Sequence, residues 1–275
     1  MTTARALTSM ESLPPIPEVG LEVLRQLNAA EVDLSGLSAA LAREPGLTGR
    51  IVGAANTAFF AGQRPIYTAE DAVVRLGLNR IRIIAVSVLL GTRLRSERCP
   101  GFDARRFWAD SLRSASAATR LGAVVPLETP RSAAYICGLL RNIGVLAHAY
   151  LFPSEMSQTF AGVRQHADTS LSVMEMAELG FDHHFTGAEV LSRWGLPEPV
   201  VTAVRNASVP SYRGPYMRLV ALTQMAWSWS QGGFQPLATQ GLLRGVSAAR
   251  LASLQRECLR ESEQLESFAE MLAVA

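Results

Sequence analysis

The chain has 275 residues, enough to bury a sizeable core without disulfides or metals. Hydrophobic residues make up 48% and charged residues 18%, a balance that excludes a disordered chain; the formal net charge of +2 is too small to imply nucleic acid or a membrane as partner. Every basic residue other than histidine is Arg, which excludes Schiff-base and phosphate-loop lysine chemistry.

On about 150 residues per domain, the length suggests roughly two domains. Period-3.6 patterning dominates and alternating runs are almost absent, so the expected fold class is all-α. Pro17 is placed to open a first helix carrying Val19, Val23 and Leu27. Asp33 is a candidate N-cap for a helix from Leu34 to Arg43, and a third runs from Pro45 to Asn56 with Leu47, Ile51, Val52 and Ala55 inward. Asn56 is read as a capping residue, with Phe59 and Phe60 folding inward. Thr68 caps a helix from Ala69 to Leu76, Asp71 completes a capping box, Gly77 stops it, and Asn79 restarts the next. Cys99-Pro100-Gly101 is the first clear break. The expected division is a tail over 1–12, a helical subdomain over 13–101, a second over 102–230 and an extension over 231–275.

Asp103 then caps a long helix to about Leu121, and Thr129-Pro130 opens an apolar helical run from Arg131 to about Tyr150. Pro153 begins a helical pair, Asp182 to Trp194 forms a helix closed by Gly195, and Pro197 to Asn206 forms another. Tyr216 to Trp229 is strongly apolar; its two tryptophans, Trp227 and Trp229, cannot share a face, so one is expected exposed or covered by the last helix. Ser247 caps that last helix, whose stripe of Leu251, Leu254, Cys258, Leu265, Phe268 and Leu272 must pack on something. Cys99, Cys137 and Cys258 lack metal-type spacing, which fits a reduced cytosolic protein. The first residues show no secretory apolar region, and charge-free apolar runs such as Ile83 to Gly91 fall far short of the ~20 residues a membrane helix needs. A soluble, cytoplasmic protein is expected.

The most informative stretch is Gly138-Leu139-Leu140-Arg141-Asn142-Ile143-Gly144. It sets an arginine inside a buried helical run, where a charge must be paired or functional because desolvating it alone is prohibitively costly.

LPPIPEV, AREPGLTGRIVGAANTAFF, AEDAVVRLGLNRIRIIAVSVLL, FWADSLRSA, GLLRNIG, LGFDHHFTGAEVLSRWGLPEPVV and RLVALTQMA occur in that order from Leu13 to Trp227. In that order and spacing the chain resembles the HDOD family, bacterial proteins related to HD-superfamily metal phosphohydrolases that lack the catalytic residues. The resemblance implies an N-terminal helical subdomain packed on a degenerate HD-like helical half. It also places each lost ligand. The first metal-binding histidine of active HD enzymes falls at Asp110, the His-Asp pair at Arg141 and Asn142, a later histidine at His183, a His-His pair at Ala207 and Ser208, and the closing aspartate at Gln224. Only His183, and Asp110 as a substituted carboxylate, could still hold a metal, whereas a hydrolytic site needs about three protein ligands. Arg141 would repel a divalent ion. No catalytic residue, metal or cofactor is expected.

For Asp110 and Arg141 two readings stay open: a structural ion pair between facing helices, or a phosphate-binding arginine held by Asp110. His183 and His184 point about 100° apart on a helix and are expected not to share a metal. His148 is read as a satisfied core histidine. The resemblance implies a non-catalytic bacterial signalling module that binds another protein, beside cyclic-dinucleotide or two-component pathways. The alternatives are a sensor that binds a phosphorylated small molecule or nucleotide through Arg141, and a residual HD-type phosphohydrolase. Two surfaces are candidates for the partner: the groove between the halves, favoured because such sites are concave, and the C-terminal helix, whose simplest role is packing on the body.

Overall fold

The computed structural model of the chain describes residue 8 and residues 11–14, 18–27, 33–43, 45–56, 65–91, 94, 96–166, 168–233 and 241–273. Among them are fourteen helices and no strand. The chain divides into two compact units, one spanning Pro14–Arg93 and one spanning Leu94–Val274 together with Met1–Leu13.

The first unit holds α1 (Glu18–Leu27), α2 (Leu34–Ala42), α3 (Pro45–Ala55), α4 (Ala69–Leu76) and α5 (Leu78–Gly91). Its helices are set by local signals. The Asp33 carboxylate accepts from the Ser35 N–H, and Thr68 Oγ1 accepts from the Asp71 N–H while donating to the Asp71 carboxylate at 2.7 Å. Gly77, at φ +76°, ends α4 in a conformation that a side chain would strain. Val23, Leu37, Leu41, Leu47, Ile51, Ile81 and Ile84 form the core, while Val52 is only half-buried. Asn56 does more than cap: its amide donates to the carbonyls of Val52 and Ile66 and accepts from the Ile66 N–H, pinning residue 66 to the end of α3. The expected opening at Pro17 and the inward folding of Phe59 and Phe60 lie outside the described residues.

The second unit is built on α6 (Ala104–Val124), capped by Asp103 and packed against α7 (Ser132–Leu140), α13 (Met217–Ser230) and α14 (Ala248–Ala273). Between them come α8 (Ile143–Leu151), α9 (Pro153–Gln165), α10 (Leu171–Glu178), α11 (His183–Arg193) and α12 (Glu198–Arg205). Cys99 belongs to this unit, in a cluster with Ala149, Phe152, Met156, Leu179 and Phe181.

One expectation changes here. The apolar run from Arg131 to Tyr150 is not one helix but two, broken at Arg141-Asn142. The break lets each half meet a different neighbour through a glycine. A Cβ on Gly138 would stand 2.7 Å from the Ser114 carbonyl oxygen on α6, and one on Gly144 would fall onto the His183 carbonyl at the start of α11. The span Ser132–Leu151 is long and apolar enough to cross a membrane by length and composition, but most of it is buried inside this unit. Neither tryptophan of α13 is exposed: Trp229 is buried and Trp227 is half-buried.

Candidate functional site

The α7–α8 break puts Arg141 at the last turn of one buried helix and Asn142 at the first of the next. Arg141 is only 7% exposed. Its Nη1 donates to Asn142 Oδ1 at 2.6 Å, so that oxygen serves the arginine instead of capping α8. Its Nη2 reaches the Ala207 carbonyl at 3.4 Å, and the guanidinium lies 4.7 Å over the Trp227 ring. Burial pushes Arg141 down to about 9, partly offset by the charge of Asp182, which leaves it a cation at neutral pH. Its Nε has no hydrogen-bond partner among the described residues.

Gln224, on α13 one turn before Trp227, donates to the carbonyls of Asn206 at 3.0 Å and Val209 at 2.8 Å. Arg141 and Gln224 therefore close on the same short segment beyond α12. The two side chains donate to three carbonyls of that segment, those of Asn206, Ala207 and Val209. The expected His-His position, Ala207-Ser208, contributes a main-chain oxygen rather than an imidazole.

His183 opens α11, where Asp182 caps the helix by accepting from the Phe185 N–H at 2.9 Å. The histidine is held by Glu175 of α10, which is fully buried. Glu175 Oε2 accepts from the His183 N–H at 2.9 Å and from His183 Nδ1 at 2.6 Å. Its Oε1 accepts from His148 Nδ1 at 3.1 Å, and His148 Nε2 meets Thr186 Oγ1 at 2.6 Å. A carboxylate only accepts, so both imidazoles carry a proton on Nδ1, and the Thr186 hydroxyl, able to donate or accept, completes the bond at His148 Nε2. Burial alone would raise the Glu175 carboxyl. The neighbouring His183 and the hydrogen bonds from His148 and His183 outweigh it and hold the group down at about 2. His148 is thus a satisfied core histidine, as its position suggested.

His184 is buried as well, and its ring lies 4.0 Å from that of His183, centroid to centroid, although adjacent helical residues diverge at Cβ. Burial first, then His183 and Arg141, drive His184 toward the neutral form. Its Nδ1 has no partner among the described residues.

Asp110 stands apart from this group. Its carboxylate pairs with Arg113 at 2.5 Å and Arg106 at 3.8 Å, both on its own helix. The expected ion pair between Asp110 and Arg141 is not formed. Arg113 and Arg106, three and four residues away on α6, reach the carboxylate without crossing to another helix. Arg141 is matched by carbonyl, amide and aromatic groups instead. The structure brings Arg141 and Gln224 to one segment, with Asn142 bonded to Arg141, and sets the His183 and His184 rings side by side at 49°, while Asp110 turns to its own arginines.

The donor set does not fit a divalent ion. Arg141 is a buried cation, the Gln224 amide is spent on two carbonyls, and His183 Nδ1 is spent on Glu175. Among the described residues no group of three or more His, Cys, Asp or Glu side chains could hold a metal ion. The buried Cys137 thiol is raised by burial beside Thr223 and is packing.

Sequence reasoning missed Glu175, Thr186 and the covering role of Trp227. The one signal for Glu175 is its place eight residues before His183, the distance of a helix end and a tight turn.

Residues 13–210 match the HDOD domain family. A protein of Treponema pallidum (strain Nichols) is 25% identical over 218 residues, 79% of this chain, and the chain spans only 42% of that protein's length. Three solved structures share the fold. One, from Marinobacter aquaeolei VT8 and named as a signal transduction protein, has a TM-score of 0.84 at 24% identity; the alignment covers 97% of this chain and 61% of that one. An HDOD domain protein from Geobacter sulfurreducens has a TM-score of 0.75 at 21% identity over 99% of both chains. A Shewanella amazonensis SB2B protein named as a phosphohydrolase has a TM-score of 0.75 at 24% identity over 98% of both.

Proposed function

We propose, on the premise that this chain belongs to the HDOD family, that it is a non-catalytic regulatory module of bacterial signal transduction that works in the cytoplasm by binding another protein. The observation that carries this reading is Arg141. A buried cation, spread over Asn142, the Ala207 carbonyl and Trp227, lies at the position that the family resemblance gives to a metal ligand of active hydrolases. An electropositive, hydrogen-bonded plug opposes both the metal and the water it would activate. A helical scaffold without that chemistry is left with surfaces, and surfaces bind partners.

A second reading is favoured by one detail. Arg141 keeps an Nε–H without an acceptor among the described residues and touches no carboxylate there, so a phosphorylated small molecule would complete its coordination.

The test combines elemental analysis of protein purified without chelators with hydrolysis of bis(p-nitrophenyl) phosphate in added manganese, iron or zinc. No stoichiometric metal and no turnover above the metal alone are expected. Turnover that disappears in Asp110→Ala would overturn the non-catalytic reading. Calorimetric binding of a nucleoside phosphate that is lost in Arg141→Met would establish the sensor in its place.

A further inference from the structure

The C-terminal helix α14 was expected simply to pack on the body. It does, but through a seam of unusual composition. Its one substantial helix partner among the described residues is α6, and every ion pair across that contact has the same polarity. Arg105 of α6 meets Glu270 at 2.8 Å, Arg113 meets Glu266 at 3.0 Å, and Arg120 meets Glu261 at 2.6 Å and Glu257 at 3.6 Å. Ser116 adds a hydrogen bond to Glu261 at 2.8 Å. As the α6 numbers rise the α14 numbers fall, so the helices run antiparallel with arginines on one and glutamates on the other.

Beneath the charges, α14 buries Leu254, Ala269 and Leu272. The family match ends at residue 210, well before this helix. Removing α14 would leave α6 still held by α7 and α13.

We infer that the face of α6 under α14 is a docking surface for an acidic amphipathic helix, occupied within this chain by α14 and taken by a partner helix that presents glutamates beside an apolar stripe. The inference rests on the reading of this chain as a protein-binding module and supplies its surface. Charge complementarity argues for that occupant. A row of arginines selects against basic or neutral helices, and α14 itself has the required chemistry. The pairs are partly exposed, so each is weak and screened by salt, and the seam can exchange where a wholly apolar contact would not. Arg113 also holds Asp110, so exchange at the seam reaches the position of the lost first ligand.

The probe is a fluorescein-labelled peptide of residues 248–273, titrated against the full chain. In the variant E257R/E261R/E266R/E270R the resident helix is repelled. That variant should bind the peptide at least tenfold more tightly than the unaltered chain, and the binding should weaken between 50 and 500 mM salt. Adding R113E/R120E should abolish it. No gain in binding by the reversed-charge variant overturns the inference. If the variant does not fold, amide exchange of the unaltered chain in rising salt decides. Faster exchange in 248–273 with 104–124 still protected supports a separable seam, whereas loss of both together overturns it. Metal-dependent turnover would refute the regulatory reading while leaving this result untouched, so the two failures are distinguishable.

Discussion

Replacing Glu175 tests whether the buried network belongs to stability. In the folded chain the carboxyl lies at about 2, against an ordinary value of 4.5. A carboxyl more acidic when folded stabilises the fold fully above its unfolded value, and that stability is lost as pH falls through the folded one. The window is therefore pH 4.5 down to 2, and the difference is worth on the order of 3 kcal/mol. The groups that face it are the imidazoles of His148 and His183 and the His183 N–H. In Glu175→Gln the amide oxygen can serve His183, and His148 can take the other tautomer and give its proton to Thr186. At pH 7 that variant should lose only about 1–3 kcal/mol. Glu175→Ala leaves three buried donors unsatisfied and should lose about 3–5 kcal/mol or more. Urea unfolding of the unaltered chain and Glu175→Gln, measured at intervals from pH 7 to pH 2, checks this. The gap between them should be constant down to about pH 4.5 and then close. A gap that stays constant to pH 2 would refute the linkage.

Asp110 and Arg141 have separate partners, so Asp110→Ala and Arg141→Met should add within about 0.5 kcal/mol in a double-mutant cycle, and a coupling of several kcal/mol would restore the pair. Arg141→Met alone should cost about 1–2 kcal/mol, because the lost bond to Ala207 is offset by relief of a buried charge. Gly144→Ala should lower stability by about 3 kcal/mol or more, since a Cβ there meets the His183 carbonyl. Gly53→Ala on α3, where a Cβ meets nothing within 4 Å, should raise it by about 0.5–1 kcal/mol; thermal melts of the two variants should move in opposite directions.

Features whose cause lies within four residues were legible in the sequence. Asp33, Thr68 and Asp103 each accept from a main-chain N–H two or three residues ahead, so the capping residue and the helix start are written together. The all-α class followed from such local patterns, and the family from the resemblance of the quoted strings in their order. Partner choice at the site was not legible. Arg141 could have met Asp110, but packing brought it Trp227 and the Ala207 carbonyl, 86 and 66 residues away, and gave Asp110 its own arginines. Helix α10 shows the limit most plainly. Glu175 is fully buried while Val173 and Met176 are 58% and 53% exposed, the reverse of what hydrophobicity alone dictates. A periodic pattern reports how much water a side chain prefers. Only the folded chain decides that two imidazoles and a main-chain N–H replace that water for a carboxylate, and so which face of the helix turns inward.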